Sequence, residues 1–339
     1  MELPHDDSKL GSRDKRGDWK PFTKPPLYPI YLFPLKPLKF LKNLFVWNGF
    51  FLNFSNVLWA SIAVFCWFFL TPSIETLKTF QIDWIAFIFF RNAFIILIFV
   101  SFYHNHFYVK KSQGNSFKYN GQFLQTNNSK FWFKDQTKDN LIYVFLSAIP
   151  IWTAYEVVTL WAFANQIIPW VNWDMYPVYC AVMFLFIPTW RSFHFYATHR
   201  LLHWRPLYRI AHRVHHHNSN PGPWSGLSMH PIEHVLYFTC VIIHWIIPSH
   251  PLIAMWNLFH AALSPHAGHG GYERIAFKNG QWLTTGSFFH YLHHKYFECN
   301  FAGDDLSFLD KTFGSFHDGT DEATEKIMKR LKGKTYLKS

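Results

Sequence analysis

The chain has 339 residues; half are hydrophobic, 16% are charged, and 38 Phe, 16 Trp and 16 Tyr make it unusually aromatic. This is too apolar for a disordered chain and too aromatic for an ordinary soluble enzyme. Lys and Arg (32) exceed Asp and Glu (21) by 11, yet the basic residues lie between long greasy runs rather than on one folded face, which excludes a nucleic-acid partner.

Residues 1–43 form a basic N-terminal segment with nine Lys and Arg. Its first residues are polar and lack the apolar core of a cleavable signal, and its proline-rich part over 21–37 reads as an extended lead-in. Four runs then have the length of about 20 residues that a bilayer crossing requires. They fall within 46–70, 84–103 (with Arg91), 141–164 (with Pro150 and Glu156) and 176–195 (ending with Arg191 and His194). A fifth apolar stretch, 235–263, is broken at Pro248-Ser249-His250-Pro251 into halves of about 13 residues, which suits a re-entrant hairpin. Loop 104–138 holds six Lys, whereas loops 71–83 and 165–175 hold only Lys78. The positive-inside rule therefore places the N-terminus, loop 104–138 and everything after residue 195 in the cytosol. The fold expected is all-α: a polytopic helical bundle of about four spans, a short re-entrant hairpin and a cytosolic histidine-rich cap. Its divisions are 1–43, a membrane-embedded domain over 44–318, and a charged helical tail over 319–339. Arg91 and Glu156, ionisable groups at membrane depth, are expected to pair with each other. Removing one alone should then cost more stability than removing both.

Cys66, Cys180, Cys240 and Cys299 show no Cys-x-x-Cys spacing, which argues against a disulfide framework or a cysteine zinc site. Histidine carries the chemistry instead. Of 21 histidines, most crowd into 194–294. His199 and His203 are four apart; His212, His215 and His216 form His-x-x-His-His; His290, His293 and His294 repeat that spacing. On a helix, residues three or four apart share a face, so His212 can point with His215 or with His216 into one volume. Neutral imidazole binds iron, zinc or copper, and eight such residues exceed what one tetrahedral zinc needs. They fit two metals. Further candidates are His266, His269 and His230, whereas His104, His106, His217, His244, His250 and His317 read as ordinary core or surface residues.

These clusters resemble the fatty acid hydroxylase/sterol desaturase family. Flanking residues agree: Arg200, Leu207-Tyr208, His230-Pro231-x-Glu233, His269-Gly270-Gly271-Tyr272, and the closing Leu309-Asp310-Lys311-Thr312-Phe313-Gly314-Ser315. The resemblance covers roughly 140–318. It implies a non-haem dimetal centre of two iron ions, with zinc as a possible substitute, held by His199, His203, His212, His215, His216, His269, His290, His293 and His294, with His266 and His230 as additional candidates. It also implies O2 as co-substrate and a lipid substrate, a sterol first and a fatty acyl chain second. No His-Pro-Gly-Gly motif marks a fused haem domain, so electrons are expected from a separate donor such as cytochrome b5 or a ferredoxin/reductase. The membrane implied is the endoplasmic reticulum in a eukaryote or the inner membrane in a bacterium.

Two other classes compete. A membrane haem carrier expects histidine pairs inside opposing spans. A membrane zinc hydrolase needs a positioned carboxylate base, for which Glu233 or Glu298 could serve.

Overall fold

The computed structural model describes residues 6–22, 36–39, 42, 51–277 and 280–332. The proline-rich lead-in and the start of the first expected span lie largely outside the described residues. Helix α1 (Phe54–Phe69) begins where the Asn53 side chain accepts the Asn56 N–H. Helix α2 (Ile82–Val109) is α-helical until a wide turn at residues Asn105–Val109. Helix α3 (Gln136–Ala164) starts on an Asp135 cap and widens over Val144–Ala148. Pro150, just beyond, accounts for that widening, because a proline cannot donate to the carbonyl one turn back and its ring crowds that carbonyl.

Helix α4 (Pro177–Leu202) runs 26 residues and contains Pro188. Helix α5 (Pro231–Ile246) ends at the break expected near 248, and α6 (Pro251–Gly268) contains Pro265. Pro188 and Pro265 each free the carbonyl four residues earlier, and both freed carbonyls find a donor on a neighbouring helix. The Trp256 indole donates to Phe184 O at 3.1 Å, and the Tyr237 hydroxyl donates to Ala261 O at 2.8 Å. The prolines thus tie α4 to α6 and α6 to α5.

Every residue of α6 from Pro251 to Leu263 is buried. A helix apolar on all sides must be enclosed by others, and α6 is enclosed mainly by α1 and α4. Between α2 and α3, the Arg91 guanidinium meets the Glu156 carboxylate, with Asn92 donating to Glu156 at 2.9 Å and Arg91 also reaching Leu70 O at 3.0 Å. The ion pair expected from the sequence is present and buried.

The fold is mostly helical, with two small sheets among the described residues. Among the described residues, two helices, α2 and α3, are long and apolar enough to cross a membrane. Of the other expected spans, α1 has 16 residues, and the second half of α4 carries Arg191, His194, His199 and Arg200. The outer face of α2 is a stripe of exposed Phe87, Phe90, Phe94, Ile98 and Phe102.

The remaining elements cap one end. They are the antiparallel hairpin β3–β4 (Arg274–Ala276 and Trp282–Thr284), α7 (Phe288–Tyr296), α8 (Ser307–Thr312) and α9 (Asp321–Lys332). A second hairpin, β1–β2 (Gly11–Arg13 and Trp19–Pro21), joins this cap. Trp19 is buried against Phe117 and Tyr119, and Asp18 accepts from Lys295 at 2.8 Å and from Tyr291 at 3.3 Å. The β1–β2 part of the basic N-terminal segment is therefore packed on the histidine end, a docking that the sequence pattern does not reveal. Helix α9 is mostly exposed, but Ile327 is buried and Arg330 donates to Gly314 O.

Candidate metal centre

Nine histidines from four stretches converge at the end of α4. The first group is His199, His203, His212, His216 and His293; the second is His215, His269, His290 and His294. All nine are buried, and the ligand atoms within each group lie within 4.8 Å of one another.

Helical spacing explains the division. In each His-x-x-His-His motif the residues four apart turn to one group and the intermediate residue turns to the other. His212 and His216 face the first group and His215 the second; His290 and His294 face the second and His293 the first. The two groups adjoin, with the His212 and His215 rings stacked at 5.6 Å and the His290 and His293 rings at 5.6 Å.

The inward atoms are the Nε2 nitrogens. In the first group, His203 lies 3.1 Å from His212 and 3.2 Å from His216, and His216 lies 3.1 Å from His293. In the second, His269 lies 3.3 Å from His215, 2.9 Å from His294 and 3.0 Å from His290. These separations are not all hydrogen bonds, because several rings already carry their proton on the other nitrogen. His199 Nδ1 donates to Phe301 O (2.8 Å), His293 Nδ1 to Cys299 O (2.7 Å), and His212 Nδ1 to Glu233 Oε1 (2.8 Å). In the second group, His215 Nδ1 donates to Ser228 O (3.2 Å) and His269 Nδ1 to Pro265 O (2.7 Å). Their Nε2 atoms present bare lone pairs, and that of His199 is buried without a hydrogen-bond partner.

Bare lone pairs about 3 Å apart repel unless a cation lies between them. Imidazole nitrogens about 2.0–2.1 Å from a metal ion stand roughly 3 Å apart when they are neighbours in its shell, so the donor set fits two metal ions. Burial keeps the rings neutral as ligands must be: it pushes His212 down to about 3 and His215 to about 4, and drives His216, His269, His290, His293 and His294 well below the ordinary imidazole value. Burial pushes the Glu233 carboxyl up to about 7. A cation beyond His212 would favour its ionised form.

Elements around the rings fix these orientations. The Asp310 carboxylate accepts from Phe301 N (3.1 Å), Ala302 N (2.9 Å) and the Ser315 hydroxyl (2.6 Å). It thereby holds the loop whose Cys299 and Phe301 carbonyls steer His293 and His199. The turn Pro223–Leu227 lies against the end of α6, where a Cβ on Gly226 would come within 2.7 Å of Pro265 and His266 backbone. Only glycine allows that approach, which keeps Ser228 O in reach of His215.

Two candidates fall outside both groups. His230 is half-exposed and caps α5, its ring accepting the Ile232 N–H at 3.2 Å. His266 is buried and donates to Pro223 O at 2.8 Å, because α6 turns it toward the 223–227 turn. Histidine–glutamate spacing alone did not reveal that Glu233 would serve His212, nor that backbone carbonyls would orient four other rings.

Residues 180–315 match the fatty acid hydroxylase family. The chain is 31% identical over 126 residues to a protein of Dictyostelium discoideum provisionally named a methylsterol monooxygenase, covering 37% of this chain and 47% of that one. It is 26% identical over 200 residues to a Delta(7)-sterol 5(6)-desaturase of Gibberella zeae, covering 54% and 57%. Methylsterol monooxygenase 2-2 of Arabidopsis thaliana is 26% identical over 226 residues, covering 62% and 80%. The chain spans about half the length of the first two. No solved structure matches it.

Proposed function

From the premise that this chain belongs to the fatty acid hydroxylase/sterol desaturase family, we propose that it is a membrane-embedded oxidoreductase that either inserts one oxygen atom into a lipid C–H bond or removes one hydrogen from each of two adjacent lipid carbons, with a sterol as substrate. The single observation that carries this reading is the inward convergence of nine buried Nε2 atoms in two adjoining groups. His199, His203, His212, His216 and His293 would hold one iron, and His215, His269, His290 and His294 the other. Bound there, the iron pair would supply O2 activation strong enough for an inert C–H bond, with two electrons from a separate cytochrome b5-type or ferredoxin-type donor.

The chain's own part is positional. Glu233 fixes the His212 tautomer and makes that ring a stronger donor. The Asp310 loop aims His199 and His293. The all-nitrogen donor set presents no thiolate to an oxidant. Apolar helices beneath the centre would hold an insoluble substrate in register, and register selects the carbon.

The exposed phenylalanine stripe of α2 supports membrane embedding, since a water-facing protein rarely exposes so continuous an apolar face. Four crossings, with α1 and α4 completing the set and the histidine end cytosolic, agree with the loop charges. The membrane-embedded domain would span 44–318. Of the two carboxylates that a zinc hydrolase could use as a base, Glu233 is engaged through Oε1 with His212 Nδ1, on the side of that ring away from the other histidines.

The test is lipid profiling of a sterol-producing host with and without the chain. A new desaturated or hydroxylated sterol, dependent on O2 and absent with His203→Ala, is expected. An unchanged sterol profile together with altered fatty acyl hydroxylation would move the substrate to acyl lipids. Conversion that persists without O2 would contradict the oxidase reading.

A further inference from the structure

A second site-like feature lies at the opposite end of α4 from the histidines. It is a cavity of about 850 Å3 between α1, the first half of α4, the start of α6 and the loop before α4. From Leu185 on its wall to His199 is about 21 Å along the helix at about 1.5 Å per residue. None of its lining residues belongs to either histidine group.

The walls are rigid and aromatic. Trp67, Trp170 and Trp173 each present a ring nearly perpendicular to His250, at 5.5, 5.9 and 6.0 Å, and Phe184 stacks on Trp256 at 5.8 Å. The loop is pinned in place: Ser249 N donates to Pro169 O at 3.2 Å, Val171 N to Ser249 O at 3.0 Å, and the Tyr179 hydroxyl to Pro248 O at 2.6 Å.

Three polar side chains line it. His250 Nδ1 accepts the Leu252 N–H at 3.2 Å, so its ring proton is on Nε2. Asn172 Oδ1 accepts the Asp174 N–H at 2.8 Å, which leaves the amide nitrogen as its donor. Asp174 supplies a carboxylate acceptor, and no Lys or Arg is among the lining residues.

We infer that this cavity binds a neutral, rigid lipid carrying a hydroxyl group, a sterol-like molecule, at a site separate from the metal centre. The hydroxyl would donate to Asp174 and accept from Asn172 or His250. A phosphate headgroup finds no cation here and meets a carboxylate instead. A fused ring system loses little conformational freedom on entering a stiff aromatic slot, whereas an acyl chain loses much. The inference rests on the membrane embedding proposed above, but not on the reaction.

The experiment uses the full chain in phosphatidylcholine nanodiscs with a diazirine-bearing cholesterol analogue, adducts being mapped by mass spectrometry. Expected are adducts within 170–185 that fall at least tenfold with Ala181→Phe, which fills the cavity, and several-fold with Asp174→Ala. The same adducts should persist with His203→Ala, and Ala181→Phe should retain its bound metal. An inserted chain whose 170–185 segment is unlabelled, or labelled equally with Ala181→Phe, overturns this inference alone. Equal labelling by a diazirine phosphatidylcholine overturns the ligand class. A chain that stays in the aqueous fraction overturns the membrane reading and this inference with it.

Discussion

The two histidine groups are made from the same parts in opposite order, yet they differ in number and support. The first has five imidazoles, including the His199–His203 pair at the end of α4, and its His212 leans on a carboxylate. The second has four, and its oriented rings His215 and His269 lean on backbone carbonyls alone. A fifth nitrogen and a negative partner stabilise a cation more strongly, so the first group should be the tighter, more saturated holder. The second retains more open positions, where an external molecule could approach.

Removing one ligand from each group gives the largest expected effect. His294→Ala reduces the second group to three imidazoles, and bound metal should fall from about two to about one per chain. His203→Ala leaves four imidazoles in the first group and should retain more metal, although turnover is lost in both. Equal metal loss would break the distinction. Glu233→Ala should follow, lowering metal affinity about 10- to 100-fold, with the loss confined to the first group in competition with a chelator. The smallest effect is expected of His266→Ala, whose ring is turned toward the 223–227 turn. Metal content should be unchanged and the melting temperature should drop by only a few degrees for the lost buried hydrogen bond. Loss of a metal with this variant would add His266 to the second group.

Much of the centre was legible in the sequence because helical periodicity is local. Residues four apart share a face, so His199 with His203 and His212 with His216 follow from spacing alone. The same arithmetic cannot say that His215 joins a different group from its neighbour His216, because that depends on where α7 docks. His230 and His266 show the converse. Their surroundings resemble ligand positions, but a helix cap claims one and the rotation of α6 turns the other away.

The Arg91–Glu156 pair was legible from the cost of burying either charge alone. The β1–β2 hairpin was not, since strands of three residues carry too little alternation to be read, and the partners Tyr291 and Lys295 of Asp18 are more than 270 residues away. Pro188 and Pro265 lie inside α4 and α6 without breaking either helix. Only tertiary structure shows the freed carbonyls being taken up by Trp256 and Tyr237.

The most direct measurement is metal analysis combined with Mössbauer spectroscopy on the purified, iron-loaded chain. Two irons per chain in two distinguishable nitrogen-rich environments, one of them released first on titration with a chelator, are the expected result. A single iron, a Soret band from haem, or firmly held zinc in a chain that reacts without O2 would contradict the paired-iron centre.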